Sequence, residues 1–227
     1  MKKFGLSNNQ LKILALLTMT VDHIGAYLFP RVMLLRIIGR IAYPIFAYMI
    51  AEGCFYTRRP GRYLGSMALL AAVCQAVYFF FAGSVYMYIP VTFTLSISLI
   101  FLLKRAMENP NEKNFALFGL GVLGVLAITE VAPMLPGTDF GVDYGFFGVM
   151  LPVVVYAGKN HWQKLALAAV MLVLLGVHYG SLQMWALMAL PLLALYNGQR
   201  GKWKMKWLFY IYYPAHLAAL YLIGLIF

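Results

Sequence analysis

The segment LSNNQLKILALLTMTVDHIGAYLFP, residues 6–30, decides how the chain is read. Its apolar run, residues 11–29, is close to the roughly 20 residues that a helix needs to cross a bilayer. Lys12 stands near the start of the run, and Asp22 and His23 stand past its midpoint. Lys2 and Lys3 give it the look of a signal peptide. The Asp-His interruption and the apolar runs that follow mark it instead as an uncleaved span.

Working outward, eight more runs follow, at 34–56, 63–82, 86–103, 115–135, 143–157, 163–180, 182–197 and 207–226. Pro152 and Pro191 fall inside the short sixth and eighth runs and predict broken or tilted helices there. Of the 227 residues, 63% are hydrophobic and 11% charged, and the mean hydropathy is +0.79. A soluble domain is about a quarter charged and about half apolar. The expected fold class is therefore all-α, a polytopic transmembrane helical bundle of nine spans, with residues 1–227 forming a single domain.

The formal net charge of +11 does not indicate a nucleic-acid partner, because such proteins carry their basic residues on a water-soluble face. Lys and Arg instead mark the cytoplasmic side of a membrane protein. With the N-terminus inside, Lys2, Lys3, Lys12, Arg58, Arg59, Arg62, Lys104, Arg105, Lys113, Lys159, Lys164, Arg200, Lys202, Lys204 and Lys206 all fall inside, 15 of the 18 basic residues. The outer connection around 136–143 has two aspartates and no base. This predicts a cytoplasmic N-terminus, an external C-terminus and a lipid bilayer as the surrounding. Trp203 and Trp207 read as interface anchors. Cys54 and Cys74 make no disulfide framework, and no Cys or His spacing resembles a zinc site.

Charges inside a bilayer are costly and face the bundle interior. Arg36 and Arg40, four residues apart, share a helix face and repel, so they need an anion between them. Asp22 is the candidate partner, and snorkelling to the headgroups is the alternative. Asp22 and His23, about 100° apart around a helix, can face one cavity, where a carboxylate beside an imidazole suits a general base. Lys12, Leu16, Met19 and His23 form one stripe along the first span, Lys12 and His23 being about 16 Å apart along its axis. In the ninth span Tyr212, Tyr213, Pro214 and His216 make a second polar point. Glu52 lies at the inner end of span two and can pair with Arg58 or Arg59. Glu130, Asp139 and Asp143 make the outer mouth acidic, which favours a cationic acceptor such as a free amine. His161 lies in a basic loop and reads as solvated. Packing alone is the competing account of each histidine.

The first segment, followed by LLRIIGRIAYPIFAYMIAEGCFYTRR (34–59) and FYIYYPAHLAALYLI (209–223), resembles the TraX family. The resemblance implies a bacterial inner-membrane acetyltransferase that modifies a pilin N-terminus, similar to a wider set of integral-membrane acyltransferases. Those enzymes carry a basic residue, ten intervening residues and a histidine in the first span, and Lys12 and His23 have that spacing, with Lys where Arg is more usual. Carried over, the catalytic residues are His23, Asp22, Arg36 and Arg40, and His216 matches the late YP-x-H pattern.

The expected chemistry is acetyl transfer from acetyl-CoA to an amine or hydroxyl acceptor, either a pilin N-terminus or an envelope or small-molecule acceptor. Lys12, Arg58, Arg59 and Arg62 would hold the CoA phosphates by charge-assisted contacts. Asp22 would orient His23, which acts as base or carries the acetyl group itself. Arg40 or Arg36 would stabilise the oxyanion. Glu52, Glu130, Tyr213 and His216 would bind the acceptor. A small secondary transporter and a non-catalytic membrane assembly scaffold are the other classes open to this pattern.

Overall fold

The computed structural model describes residues 4–202 and 206–224, and within these the chain is all-helical. Lys2, Lys3, Trp203 and Lys204 lie outside the described residues, as do the side chains of Lys206 and Trp207. Five helical rods are long and apolar enough to cross a membrane: Met33–Tyr56, Pro60–Phe80, Ile89–Glu108, Glu112–Met134 and His161–Tyr179. Two shorter apolar stretches, Gly145–Ala157 and Ser181–Ala194, accompany them. Large apolar side chains such as Leu69, Phe80, Leu120, Leu123 and Val177 are exposed on these rods. Apolar surface of that extent belongs against lipid.

Helix α1 (Asn8–Tyr27) begins where the sequence places a capping box. The Ser7 hydroxyl accepts from the Gln10 N–H, and the Ser7 N–H donates back to Gln10 Oε1 at 2.9 Å. The second predicted span is not one unbroken helix. It divides into α2 (Met33–Gly39) and α3 (Ala42–Tyr56), changing over at Arg40 and Ile41. Pro44 falls in the first turn of α3, where a missing N–H is tolerated. Next come α4 (Pro60–Ala82) and α5 (Ile89–Glu108), both with proline in the first turn. Helix α6 (Glu112–Leu126) widens into a π turn at Ala127–Val131 and closes in a 3-10 turn at Ala132–Met134.

Helix α7 (Gly145–Ala157) runs through Pro152 without a break, so of the two forms expected there, broken or tilted, the broken one is not formed. A neighbouring donor supports that turn, the Ser96 hydroxyl of α5 donating to the Val149 carbonyl at 2.8 Å. Helix α8 is His161–Tyr179. The eighth predicted span is broken as expected, into α9 (Ser181–Met184), a 3-10 turn (Trp185–Met188) and α10 (Ala189–Ala194), with Pro191 in the first turn of α10. Helix α11 is Lys206–Gly224.

The chain divides into two compact units, residues 50–159 and residues 1–49 with 160–227. In the first of these α5 is central, with α4, α6 and α7 against it. Thr92 and Ser96 of α5 are fully buried and donate to the carbonyls of Asp143 and Val149. These two bonds run in step along both helices, so α5 and α7 are parallel. Their C-terminal ends therefore share one end of the unit with Lys104, Arg105, Lys113 and Lys159. The opposite end holds Ser84, Asp139 and Asp143, tied by the bridge between Met87 and Val142.

In the other unit α1 packs on α2 and on α11, and α8 carries α9 and α10. The start of α1 is fixed by the 195–200 segment, whose carbonyls at Leu195, Gln199 and Arg200 accept from the N–H groups of Leu6, Asn8 and Asn9. Two glycines set the α1–α2 approach. A Cβ on Gly25 would lie 2.7 Å from the Leu35 Cβ, and a Cβ on Gly39 would collide with the Asp22 side chain. Gly39→Ala is therefore expected to cost about 1–3 kcal/mol, the usual range for overpacking. The measurement is thermal unfolding in detergent, with Gly61→Ala as the control, since a Cβ there meets open space.

Candidate functional site

Asp22, His23, Arg36, Arg40 and His216 come together in the unit built from the two ends of the chain. Asp22 is buried on α1 and lies between the two arginines of the α2 segment. Arg36 Nη1 donates to Asp22 Oδ2 at 2.7 Å, and Arg40 Nη2 donates to Asp22 Oδ1 at 2.6 Å. Arg36 Nη1 also donates to the Asp22 main-chain carbonyl at 3.1 Å. Arg40 Nη1 reaches Gln183 Oε1 of α9 at 3.4 Å. The anion required by two arginines on one helix face is thus supplied by α1, and Gly39 is the residue that lets it come so close. Snorkelling does not describe Arg40, which is 6% exposed.

His23 takes a different partner from the one its neighbour suggests. Both Asp22 carboxylate oxygens face guanidinium groups, so Asp22 does not orient the imidazole. The reason is helical: adjacent side chains diverge by about 100°, and here Asp22 faces α2 while His23 faces α11. His23 Nδ1 lies 2.8 Å from His216 Nε2, and His216 Nδ1 lies 2.8 Å from the Tyr212 carbonyl. A carbonyl oxygen only accepts, so His216 Nδ1 carries a proton. With His216 neutral, its Nε2 is an acceptor and His23 Nδ1 is the donor. The chain of bonds leaves His23 Nε2 with its lone pair free of a proton.

The aromatic surroundings hold this pair in place. The Tyr212 and His216 rings stack at 5.2 Å, and those of His23 and His216 at 5.0 Å. Buried Tyr213 meets His216 edge-on at 5.7 Å, as a packing neighbour. Thr20 donates to the Leu16 carbonyl at 2.9 Å, so the Tyr212 hydroxyl donates to Thr20 across 2.6 Å. Pro214, within α11, lies between Tyr212 and His216. The spacing of a carbonyl and a histidine four residues apart was visible in the sequence, but the histidine–histidine bond was not. Gln183 was likewise missed; its only signal was a polar side chain in the apolar eighth run.

The remaining candidates are placed as follows. Lys12 is half-buried on α1, and Leu16 and Met19 between it and His23 are buried. Arg58, Arg59 and Arg62 form an exposed basic turn before and at the start of α4. Glu52 is buried on α3. Glu130, in the π turn, accepts from the Phe146 N–H at 2.9 Å and so caps α7. A carboxylate there also meets the positive end of the helix dipole. Asp139 accepts from the Ser84 hydroxyl at 2.7 Å and the Val85 N–H at 3.1 Å, and these bonds hold its carboxyl below the usual carboxylate range. Its contribution to loop order is present at neutral pH and is lost as pH falls through that lowered value. The acidic loop residues thus have partners inside the protein. His161 is not simply solvated either, for its Nδ1 lies 3.1 Å from the Tyr48 hydroxyl and its Nε2 lies 3.2 Å from the Ala194 carbonyl.

The capping role of Glu130 is directly testable. Glu130→Ala is expected to lower stability by about 0.5–2 kcal/mol, as loss of a helix cap does, seen as a lower Tm. An acceptor-binding residue would instead raise an acceptor KM and leave Tm unchanged.

A probable fimbrial assembly protein, FimC of serogroup H1 from Dichelobacter nodosus, is 26% identical over 251 residues, covering 93% of each chain. An uncharacterized protein of Rickettsia prowazekii (strain Madrid E) is 58% identical over 38 residues, 17% of this chain and 15% of that one. No solved structure matches. The family described as TraX protein matches residues 7–224, which include every residue of the Asp22–Arg36–Arg40 and His23–His216 clusters. With its apolar helices and that match over nearly its whole length, the chain is a multi-pass membrane protein of the TraX family.

Proposed function

We propose that the protein is an inner-membrane acetyltransferase, moving an acetyl group from acetyl-CoA to an amine or hydroxyl acceptor. A pilin N-terminus is the acceptor that the family and the fimbrial relative suggest, and an envelope or small-molecule acceptor is the other class. The observation that carries the reading is the proton-free His23 Nε2, one residue along α1 from the carboxylate that holds Arg36 and Arg40, in a chain of the TraX family. In this reading nine spans place the N-terminus in the cytoplasm and the C-terminus outside. His23 and Lys12 then lie on one helix, with Lys12 towards the cytoplasmic donor.

His23 Nε2 takes the proton of the acceptor as its nitrogen or oxygen attacks the thioester carbonyl. The tetrahedral oxyanion develops beside Arg40, which Asp22 and Gln183 hold in place and which needs no reorganisation during the reaction. Collapse breaks the carbon–sulfur bond, and the departing thiolate takes the proton from His23 to give free CoA. His216 supports the step as a positioning residue by fixing the His23 tautomer, the part first expected of Asp22. Lys12 is the basic group on α1 suited to CoA phosphate, and Arg58, Arg59 and Arg62 form a second basic group with the same chemistry.

The test is acetyl transfer by the purified protein in vesicles, using radiolabelled acetyl-CoA and a panel of amine, peptide and sugar acceptors. Acceptor-dependent release of one CoA per acetyl transferred is expected. Solute uptake without CoA consumption would identify a transporter instead, and the absence of either would leave the scaffold reading.

A further inference from the structure

Beside the His23–His216 bond, a second side-chain bond joins α1 to α11. Thr20 stands three residues before His23 on α1, and Tyr212 stands four residues before His216 on α11. Both spacings return to the same helix face. The Thr20–Tyr212 bond of 2.6 Å and the His23–His216 bond of 2.8 Å are therefore two rungs between the helices. They follow in the same order along both, so α1 and α11 run parallel. The rungs are about one helical turn, roughly 5 Å, apart.

Tyr212 belongs to both rungs. Its hydroxyl donates to Thr20, whose own proton goes to the Leu16 carbonyl at 2.9 Å. Its main-chain carbonyl accepts from His216 Nδ1 at 2.8 Å. Its ring lies within 13° of parallel to the His216 ring. The residue that fixes the tautomer of His216 is thus itself tied to α1 at the far end of its side chain. The tie matters because Pro214 falls between Tyr212 and His216 and supplies no N–H, which takes one backbone bond from that part of α11. Side-chain bonds carry more of the alignment there than in a regular helix.

We infer that Tyr212 is a positioning residue for His23: its hydroxyl, latched to Thr20, holds α11 in the register at which His216 Nε2 meets His23 Nδ1. Thr20 is the other half of the latch. When the latch is lost, His23 Nδ1 no longer has a fixed acceptor. The His23 proton then moves to Nε2 in a share of the molecules, and in that share the lone pair needed by a base is gone. The inference rests on the transfer reading for what His23 does, but not for the bonds themselves.

The experiment uses the full chain in lipid, labelled with nitrogen-15 histidine, at neutral pH. Solid-state NMR reads which ring nitrogen of each histidine carries the proton. The His23 and His216 signals are assigned by their loss in His23→Ala and His216→Ala. The parent protein is expected to show both histidines protonated at Nδ1, with a nitrogen–nitrogen coupling across the bond between them. Tyr212→Phe keeps the ring and the carbonyl and removes only the hydroxyl. It should bring in His23 protonated at Nε2 and weaken the coupling. Thr20→Val should do the same from the other helix, and Thr20→Ser, which keeps the hydroxyl, should retain the parent signals. The double variant Tyr212→Phe, Thr20→Val should be no worse than either single one, since each removes the same bond. Parent-like signals in Tyr212→Phe or in Thr20→Val, or additive effects in the double variant, overturn the latch.

A second arm measures acetyl transfer. Tyr212→Phe should lower kcat by about 2- to 12-fold, the worth of one net hydrogen bond, with the KM for acetyl-CoA and for the acceptor unchanged. A change in KM with kcat unchanged would overturn the positioning role. If no CoA is released with any acceptor, the transfer reading fails, and the tautomer signals decide the latch by themselves.

Discussion

Asp22→Ala is expected to destabilise the folded protein by about 3–5 kcal/mol, the cost of removing one partner from a buried ion pair. Asp22 is bonded through both carboxylate oxygens. Its removal takes from Arg36 and Arg40, which lie together on the α2 side, the carboxylate that α1 presents to both. Denaturation in mixed micelles measures the loss. The control is the triple variant Asp22→Leu, Arg36→Met, Arg40→Met, which removes the charges together. It should recover most of the stability, because apolar replacement of a whole buried ion cluster is often neutral. A triple variant as unstable as Asp22→Ala would show that shape rather than charge holds α1 on α2.

His23→Ala is expected to lower acetyl transfer by about 10²–10⁴-fold, the contribution of a general base, while the protein stays folded. His23 is half-buried and, among the described residues, makes one side-chain hydrogen bond, to His216. Its loss therefore touches chemistry far more than packing, and Tm should move little. His216→Ala should give a smaller loss of kcat with the acetyl-CoA KM unchanged, since it frees the His23 tautomer without removing the base. Full activity in His23→Ala would end the assignment. A His216 variant as inactive as His23→Ala would move His216 from a positioning role to the reaction itself.

The ionisable part of this site was readable from the sequence because it obeys helical arithmetic. Arg36 and Arg40 at a spacing of four demanded an anion, and Asp22 was the carboxylate available. What could not be read was direction around the helix. Asp22 and His23 are neighbours in the chain, yet they serve α2 and α11, and only packing decides which face meets which helix. The same limit explains His161, whose place in a basic loop suggested water but whose ring meets Tyr48 and the Ala194 carbonyl. It explains Glu130 as well, since a carboxylate towards the end of an apolar run looks alike whether it greets a ligand or caps α7. The helical runs themselves were legible from hydropathy, but the change at Arg40–Ile41 and the π turn at Ala127–Val131 were not. Gly39 and Pro44 flank the first of these places, but a glycine and a proline inside an apolar run do not say whether a helix bends, ends or continues, and apolar composition carries no record of helix pitch.

The union of the chain's two ends in one unit has a consequence for biosynthesis. His23 and His216 are separated by 193 residues, which a ribosome covers in roughly 10–40 s at about 5–20 residues per second. Throughout that interval α1 has emerged while its later partner is still untranslated. The Asp22 pairs with Arg36 and Arg40 span only 14 and 18 residues, so α1 and α2 can mask most of their charge as soon as both have emerged. The His23–His216 bond waits for α11. A nascent chain therefore completes its ion cluster early and its histidine pair last, when translation is nearly complete.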